Sequence, residues 1–339
     1  MTNIGVIMIF DVTPYHIFQT KKDKLIKLLL DVDTGIDDAL ALFYLAEAQK
    51  KGEIEILGST TVGGNVEVSQ TTLNTLKIWE MLELDIPVAS GAKQPLMVPL
   101  NPAPYVHGDD GLGNTFLPPP KKLPAEESAA EMILRLSHEY AGELTLLTTA
   151  PLTNIAVALL QDPDLAKRMR KVVIMGGAVF TGNVSAVAEA NIANDPEAAR
   201  IVFRSGMEMT LIGLDVTHEV YWEEQDLQEL VKINNERSAF LLQIIDFIST
   251  AYESLSGWKR CVLHDPLAAG VCLFPDLVKT EKRFVDVELN GELTRGMTVV
   301  DRRGRTPLGE EKMQVALEVD AERFKTQLME SLLAWAREG

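Results

Sequence analysis

The sequence predicts an α/β fold built on an open, mainly parallel sheet flanked by helices. Apolar runs of strand length alternate with amphipathic stretches of helical length along most of the chain, as strands joined by covering helices do. One of these strands runs into a crowded acidic loop that leads straight into a helix, and the carboxyl ends of strands are where open sheets of this kind bind ligands. No internal repeat or flexible linker divides the 339 residues, so one large core is the simplest organisation.

Taken in order, Leu25–Val32 reads as a strand, Asp38–Lys50 as a helix and Ile54–Val62 as a strand. Ser69–Leu82 reads as a helix and Ile86–Ala89 as a short strand. Pro and Gly then dominate from Gly91 to Pro124, a loop long enough to suggest binding. The alternation resumes with helix Ser128–Tyr140, strand Leu144–Thr149, helix Asn154–Leu160 and strand Val172–Met175. At Asn194-Asp195-Pro196-Glu197 a capping residue precedes a proline suited to a first helical turn. Strand Thr210–Val216 and a mostly helical Trp222–Leu255 follow. Strands are expected at Phe284–Leu289, Thr298–Asp301 and Val315–Val319, before a closing helix Ala321–Arg337.

A net charge of −17 argues against nucleic acid polymers and anionic membranes as partners, because both demand clustered Lys and Arg. Two cysteines, Cys261 and Cys272, are too few for a disulfide scaffold and lack zinc-site spacing, so a cytoplasmic location is expected. No apolar run approaches the ~20 residues of a membrane span; Gly5–Phe10 is short and has no basic residue before it. Residues 1–22 read as a peripheral extension, and 23–339 as a single domain.

The acidic loop is Asp31-Val32-Asp33-Thr34-Gly35-Ile36-Asp37-Asp38, four aspartates in eight residues. Like charges this close raise one another's pKa unless a cation neutralises them, and an all-oxygen set suits a hard divalent ion. Helix capping would account for one or two of these residues; it accounts poorly for four.

With this motif the sequence resembles the inosine-uridine-preferring nucleoside hydrolase family, whose N-terminal hallmark is D-x-D-x-x-x-D-D, met here by Asp31, Asp33, Asp37 and Asp38. The resemblance continues through His107-Gly108-Asp109-Asp110-Gly111, Thr149-Ala150-Pro151-Leu152-Thr153-Asn154 and Met175-Gly176-Gly177. Asn183, Glu189-Ala190-Asn191, Asp195-Pro196-Glu197 and His264-Asp265-Pro266-Leu267 extend it over most of the chain from Lys24 onward. It implies the nucleoside hydrolase fold with a Rossmann-like core, and hydrolysis of ribonucleosides to free base and ribose.

On that resemblance Asp33, Asp38, Asp265 and the carbonyl of Thr149 hold Ca²⁺, and Asp33 is the general base. Asp37 binds the ribose 2′-hydroxyl, Asn191 and Asp265 the 3′-hydroxyl, and Asn183 and Glu189 the 5′-hydroxyl. His264 assists the departing base, with His107 and Tyr252 facing it. Asn65, after Gly63-Gly64, reaches the same crevice or serves as a turn residue. Relatives are commonly homodimers or homotetramers. Two departures stand out: Ala190 occupies a place where an aromatic is frequent, and Ala150 one where glycine is. Trp258 lies near enough in sequence to keep a purine-specific pocket open. His218 is read as structural.

Two other readings compete. Asp31-Val32-Asp33 also resembles the nucleophile motif of haloacid dehalogenase-like phosphatases, but Gly35 stands where that motif wants Thr or Val. A calcium-dependent nucleoside-binding protein that has lost turnover would keep the pocket without the chemistry.

Overall fold

Leu28, Leu29 and Leu30 are all fully buried, yet Leu28 and Leu30 belong to one apolar cluster and Leu29 to another. Successive side chains of a strand point to opposite faces, so an unbroken apolar strand needs cover on both. That requirement sets the architecture. The computed structural model describes residues 25–303, 308–310 and 313–338, and the expected extension at 1–22 lies outside the described residues.

The first elements are β1 (Ile26–Val32), α1 (Ile36–Lys50), β2 (Ile54–Thr61), α2 (Val68–Met81) and β3 (Val88–Ser90). After the short α3 (Pro104–His107) come α4 (Ala129–Glu139), β4 (Leu144–Thr148), α5 (Thr153–Gln161), α6 (Leu165–Arg168) and β5 (Lys171–Met175). Next are α7 (Ala190–Asn194), α8 (Pro196–Phe203), β6 (Met209–Ile212), α9 (Leu214–Thr217) and β7 (Tyr221–Trp222). The remainder is α10 (Gln228–Ile233), α11 (Glu236–Ser256), β8 (Cys261–Val262), α12 (His264–Leu273), β9 (Val278–Arg283), β10 (Val285–Val287), β11 (Thr298–Val300), β12 (Met313–Val319) and α13 (Ala321–Arg337).

Eight strands form one sheet in the order β3-β2-β1-β4-β5-β6-β12-β9, parallel throughout except for the antiparallel pair β12–β9. The chain builds outward from β1 through β2 to β3, then returns to lay β4 on the other side of β1. A crevice opens at the carboxyl ends where the order reverses. One face is covered by α1, α2, α11, α12 and α13, the other by α4, α5 and α8. Helix α1 is wrapped on nearly all sides, leaving only Glu47, Gln49 and Lys50 outside the buried set, as a helix apolar around its circumference must be. Ser128 and Glu131 form a reciprocal cap on α4, and Asp195 caps α8 ahead of Pro196, both as the residue types predict.

The differences from expectation have local causes. The strand expected at Thr210–Val216 ends at Ile212, and Leu214–Thr217 turns into α9. The Asp215 carboxylate there accepts hydrogen bonds from the amides of Val179 and Phe180, an interaction its β-branched neighbours conceal. Trp222 belongs to β7, which pairs antiparallel with β8, rather than to the helical region. Strand β9 escapes apolar patterning because it is the exposed, charged edge Lys279-Thr280-Glu281-Lys282, a composition that protects edges from further pairing. The 91–124 loop contains α3.

Helix α12, which carries His264 and Asp265, is seated on α13 through Phe324. That ring is fully buried and lies edge-on to Tyr44 at 5.7 Å. Gly270 admits it, since a Cβ there would sit 2.5 Å from the ring. Phe324→Ala is expected to cost about 3–5 kcal/mol, read as a lower urea midpoint at constant m. A loss below about 1 kcal/mol would contradict this packing role.

Candidate active site

Strand β1 stops being apolar at Asp31, and its last turn of chain delivers Asp33 to the crevice. Asp31 itself faces inward: its Oδ1 accepts from Thr60 Oγ1 and Asn154 Nδ2, both at 2.7 Å. The same Asn154 amide reaches the Thr61 carbonyl at 2.9 Å. Asp31 thus ties β1 to β2 and α5 through Oδ1, while its Oδ2 is buried with no hydrogen-bond partner among the described residues.

Asp33, Asp37 and Asp38 are buried beside Asp265, which arrives from the first turn of α12. One oxygen each of Asp37, Asp38 and Asp265 lies within 4.8 Å of the others. Asp33 Oδ2 accepts from the backbone N–H of Asn65 at 2.7 Å, while its Oδ1 is buried with no hydrogen-bond partner among the described residues. Asp37 Oδ1 is likewise without one. Asp38 is better satisfied, accepting from Gly35 N at 2.9 Å, Thr149 Oγ1 at 2.7 Å and Asn65 Nδ2 at 3.3 Å. Burial pushes Asp31, Asp37 and Asp38 each up to about 6. Burial, and then the neighbouring carboxylates, holds Asp33 and Asp265 well above the ordinary range.

Two glycines make this crowding possible. A Cβ on Gly64 would fall 1.9 Å from Asp33 Oδ2, and one on Gly35 would fall 2.5 Å from His107 Nδ1. Asn65 is therefore drawn into the site rather than left as a turn residue. His107 Nδ1 accepts the backbone N–H of Ile36 at 3.2 Å, so that nitrogen carries a lone pair. Its 3.8 Å approach to Asp37 Oδ1 is not an ion pair; burial lowers this imidazole to about 4.

The third strand end contributes Thr149, whose N–H bonds back to the Asp31 carbonyl at 3.0 Å. Its own carbonyl accepts from Asn191 Nδ2 at 3.0 Å. Glu189 caps α7, with Oε1 taking Asn191 N and Oε2 taking Gly177 N and Ile192 N. Asn183 Oδ1 accepts from Ala190 N at 3.0 Å. These residues form the wall of a cavity of about 300 Å³.

His264 lines the same cavity and is held by two hydroxyls, Tyr252 OH at 2.6 Å from Nε2 and Thr217 Oγ1 at 2.7 Å from Nδ1. Burial, followed by nearby His218, His107 and Arg260, keeps it well below its usual pKa. The His218 ring packs against His264 with centroids 5.4 Å apart, which corrects its reading as a structural residue outside the site. Trp258 does not line the cavity; Arg260 does.

Of the sequence-predicted residues, Asp37, Asn65, His107, Thr149, Asn183, Glu189, Asn191, Tyr252, His264 and Asp265 line this one cavity, with Asp33 and Asp38 packed behind its acidic wall. The acidic trio of closest oxygens contains Asp37 where the sequence reading placed Asp33. Sequence reasoning missed Thr217, His218 and Arg260. Thr217 and His218 follow a strand end in the sequence, which is a signal; Arg260 carries none.

The buried, oxygen-only, like-charged donor set with orphaned carboxylate oxygens fits a hard dication. The folded carboxyls hold protons that the unfolded chain releases above its ordinary 3.8. Without a cation, stability is therefore fullest at low pH and falls as pH rises from 3.8 through about 6. A cation must displace those protons and removes the penalty. The Tm difference between cation-loaded and chelated protein should widen from pH 4.5 to pH 7, by roughly several degrees; a constant difference would remove the cation from this cluster.

A family model described as inosine-uridine preferring nucleoside hydrolase matches residues 28–326. An inosine-uridine preferring nucleoside hydrolase of Leishmania major is 39% identical over 310 residues, covering 90% of this chain and 97% of that protein. Uridine nucleosidase 1 of Arabidopsis thaliana is 39% identical over 306 residues, covering 87% and 90%. Among solved structures, a purine-preferring ribonucleoside hydrolase from Gardnerella vaginalis superposes with a TM-score of 0.86 at 35% identity, covering 92% of this chain and all of that one.

Proposed function

The chain belongs to the inosine-uridine preferring nucleoside hydrolase family, and from that premise we propose that its acidic crevice cleaves ribonucleosides with Ca²⁺ as the resident cation. The enzyme hydrolyses the N-glycosidic bond of ribonucleosides, releasing base and ribose. The observation that carries the reading of the site is the meeting of the β1–α1 carboxylates with Asp265 at a cavity that His264 also lines.

Asp33, Asp38, Asp265 and the Thr149 carbonyl are the residues that hold the cation. When bound, a hard dication offsets their charge, orients ribose hydroxyls and makes a water more acidic. Asp33 takes the proton of the attacking water, and its unpartnered Oδ1 is the atom available for it. Asp37 binds the 2′-hydroxyl, Asn191 and Asp265 the 3′-hydroxyl, and Asn183 with Glu189 the 5′-hydroxyl. Asn65 fixes Asp33 and Asp38 relative to each other.

As the bond to the base lengthens, its electron pair moves to the base and positive charge spreads over the sugar ring. The fixed carboxylates stabilise that charge where it develops. His264 lies on the base side, where its neutral ring hydrogen-bonds the departing base, with Tyr252 bonded to its ring and His107 facing the same space. Cys261 and Cys272 are free, buried thiols, which suits a reducing cytoplasm, and among the described residues no helix is long and apolar enough to cross a membrane. We read the assembly as a homodimer or homotetramer.

Asp33→Asn should lower kcat by roughly 10²–10⁴-fold in an assay of ribose release from inosine or uridine; an unchanged rate refutes Asp33 as the base. Deoxyinosine should be turned over far more slowly than inosine, and equal rates would show that the 2′-hydroxyl is not gripped. Tight nucleoside binding with no ribose produced at any calcium concentration would favour a binding protein instead.

A further inference from the structure

Arginine side chains in a strongly acidic chain normally find carboxylates, and Arg135, Arg168, Arg204, Arg295 and Arg323 do so here. Arg260 does not. Among the described residues it makes no hydrogen bond or ion pair, and its Nε is buried without an acceptor. What holds it is aromatic: the guanidinium carbon lies 4.3 Å from the centroid of Trp258 and 5.3 Å from that of Tyr221. Those rings meet edge-on at 5.1 Å, and Trp258 Nε1 is anchored on Glu223 at 2.8 Å. Arg260 also precedes β8, whose pairing with β7 fixes Tyr221 opposite Val262. A stacked guanidinium keeps its N–H edge free for a ligand, and this one lines the cavity beside His218, Tyr252 and His264.

The cavity lining therefore carries both signs of charge: Asp37, Glu189 and Asp265 contribute carboxylates, and Arg260, close to His218, Tyr252 and His264, contributes a guanidinium. We propose that Arg260 is a specificity-determining residue that donates to acceptor atoms on the edge of the leaving base, favouring ribonucleosides whose base carries a ring carbonyl there. This rests on the hydrolase reading above. A guanidinium offers only donors, so a ring carbonyl satisfies it and an exocyclic amine in the same place does not. Its charge also opposes the negative charge that collects on the base as the glycosidic bond breaks. Trp258 and Tyr221 act as positioning residues for it. Burial first, with this positive charge among the further causes, lowers the pKa of His218 and His264.

The test compares inosine with purine riboside, which lacks the 6-oxo group and the N1 hydrogen, in the wild type, Arg260→Met, Arg260→Lys and Trp258→Ala. Arg260→Met should lower kcat/KM for inosine by roughly 10–100-fold, the range for losing a charged hydrogen bond. Purine riboside should fall by far less, so the ratio of the two collapses. Arg260→Lys, which keeps the charge but not the planar fork, should give an intermediate ratio, and it carries the test should the Met variant fail to fold. Trp258→Ala, remote from the cavity lining, should shift the ratio in the same direction. An inosine to purine riboside ratio unchanged in folded Met and Lys variants, with the wild type active, overturns the Arg260 assignment alone. A wild type that releases ribose from uridine but not from inosine overturns this inference alone, and one that releases ribose from none of the three overturns the hydrolase reading with it.

Discussion

Asp33, Asp37, Asp38 and Asp265 cannot all be ionised in the small dry volume they share unless positive charge is brought to them. Among the described residues none is ion-paired with Lys or Arg, and the one basic group beside them, His107, has its near nitrogen occupied by a backbone donor. A protein that wanted only a stable strand end would place a lysine there, or a serine in place of an aspartate. Keeping the carboxylates buried and unpaired sacrifices folding stability for a site that is completed from outside.

The backbone is arranged around that same demand. Parallel strands bring Val32, Thr61 and Thr148 to one edge, because β1 registers Asp31 against both Thr60 and Thr148. The chain that follows each strand then enters the crevice at a common height. Gly64 lets the Asn65 amide close on Asp33, and Asn65 in turn bridges to Asp38. Asp31 and Asn154 clamp the strands beneath. The buried helix α1 begins at Ile36, so Asp37 and Asp38 lie in its first turn, where the helix N-terminus adds positive potential.

Much of this was legible because the chemistry is local. The acidic loop, the capping of α8 by Asp195 and the closing helix Ala321–Arg337 are each encoded within a few residues. What the sequence hid depends on distant partners. Leu214–Thr217 looks like strand until Asp215 is seen bonding the amides after β5. β9 looks like loop because its stability comes from pairing with β12 and not from its own side chains. Arg260 is chemically mute in sequence, since its meaning lies in Tyr221, far away along the chain, and in the missing carboxylate. Ala190 stands where an aromatic is frequent in relatives, and the cavity is lined instead by His218 after α9, by α11 and by Arg260 before β8.

His264 and Asp265 are neighbours in sequence, so on the proposed assignment one helix start serves both sides of the glycosidic bond. Adjacent helical residues project about 100° apart, so one carboxylate can turn toward the acidic wall while the preceding imidazole turns toward Tyr252 and Thr217. The positive end of α12 favours the carboxylate and disfavours an imidazolium, which agrees with a neutral His264 held low by burial. Because both ring nitrogens face hydroxyls that can either donate or accept, a proton can sit on either nitrogen without any atom losing its partner. The spacing between this carboxylate and this imidazole is thus set by a single peptide unit at the start of a helix that Phe324 locks against the core. Any shift of α12 moves both side chains together, so the packing beneath it holds the proposed site in register.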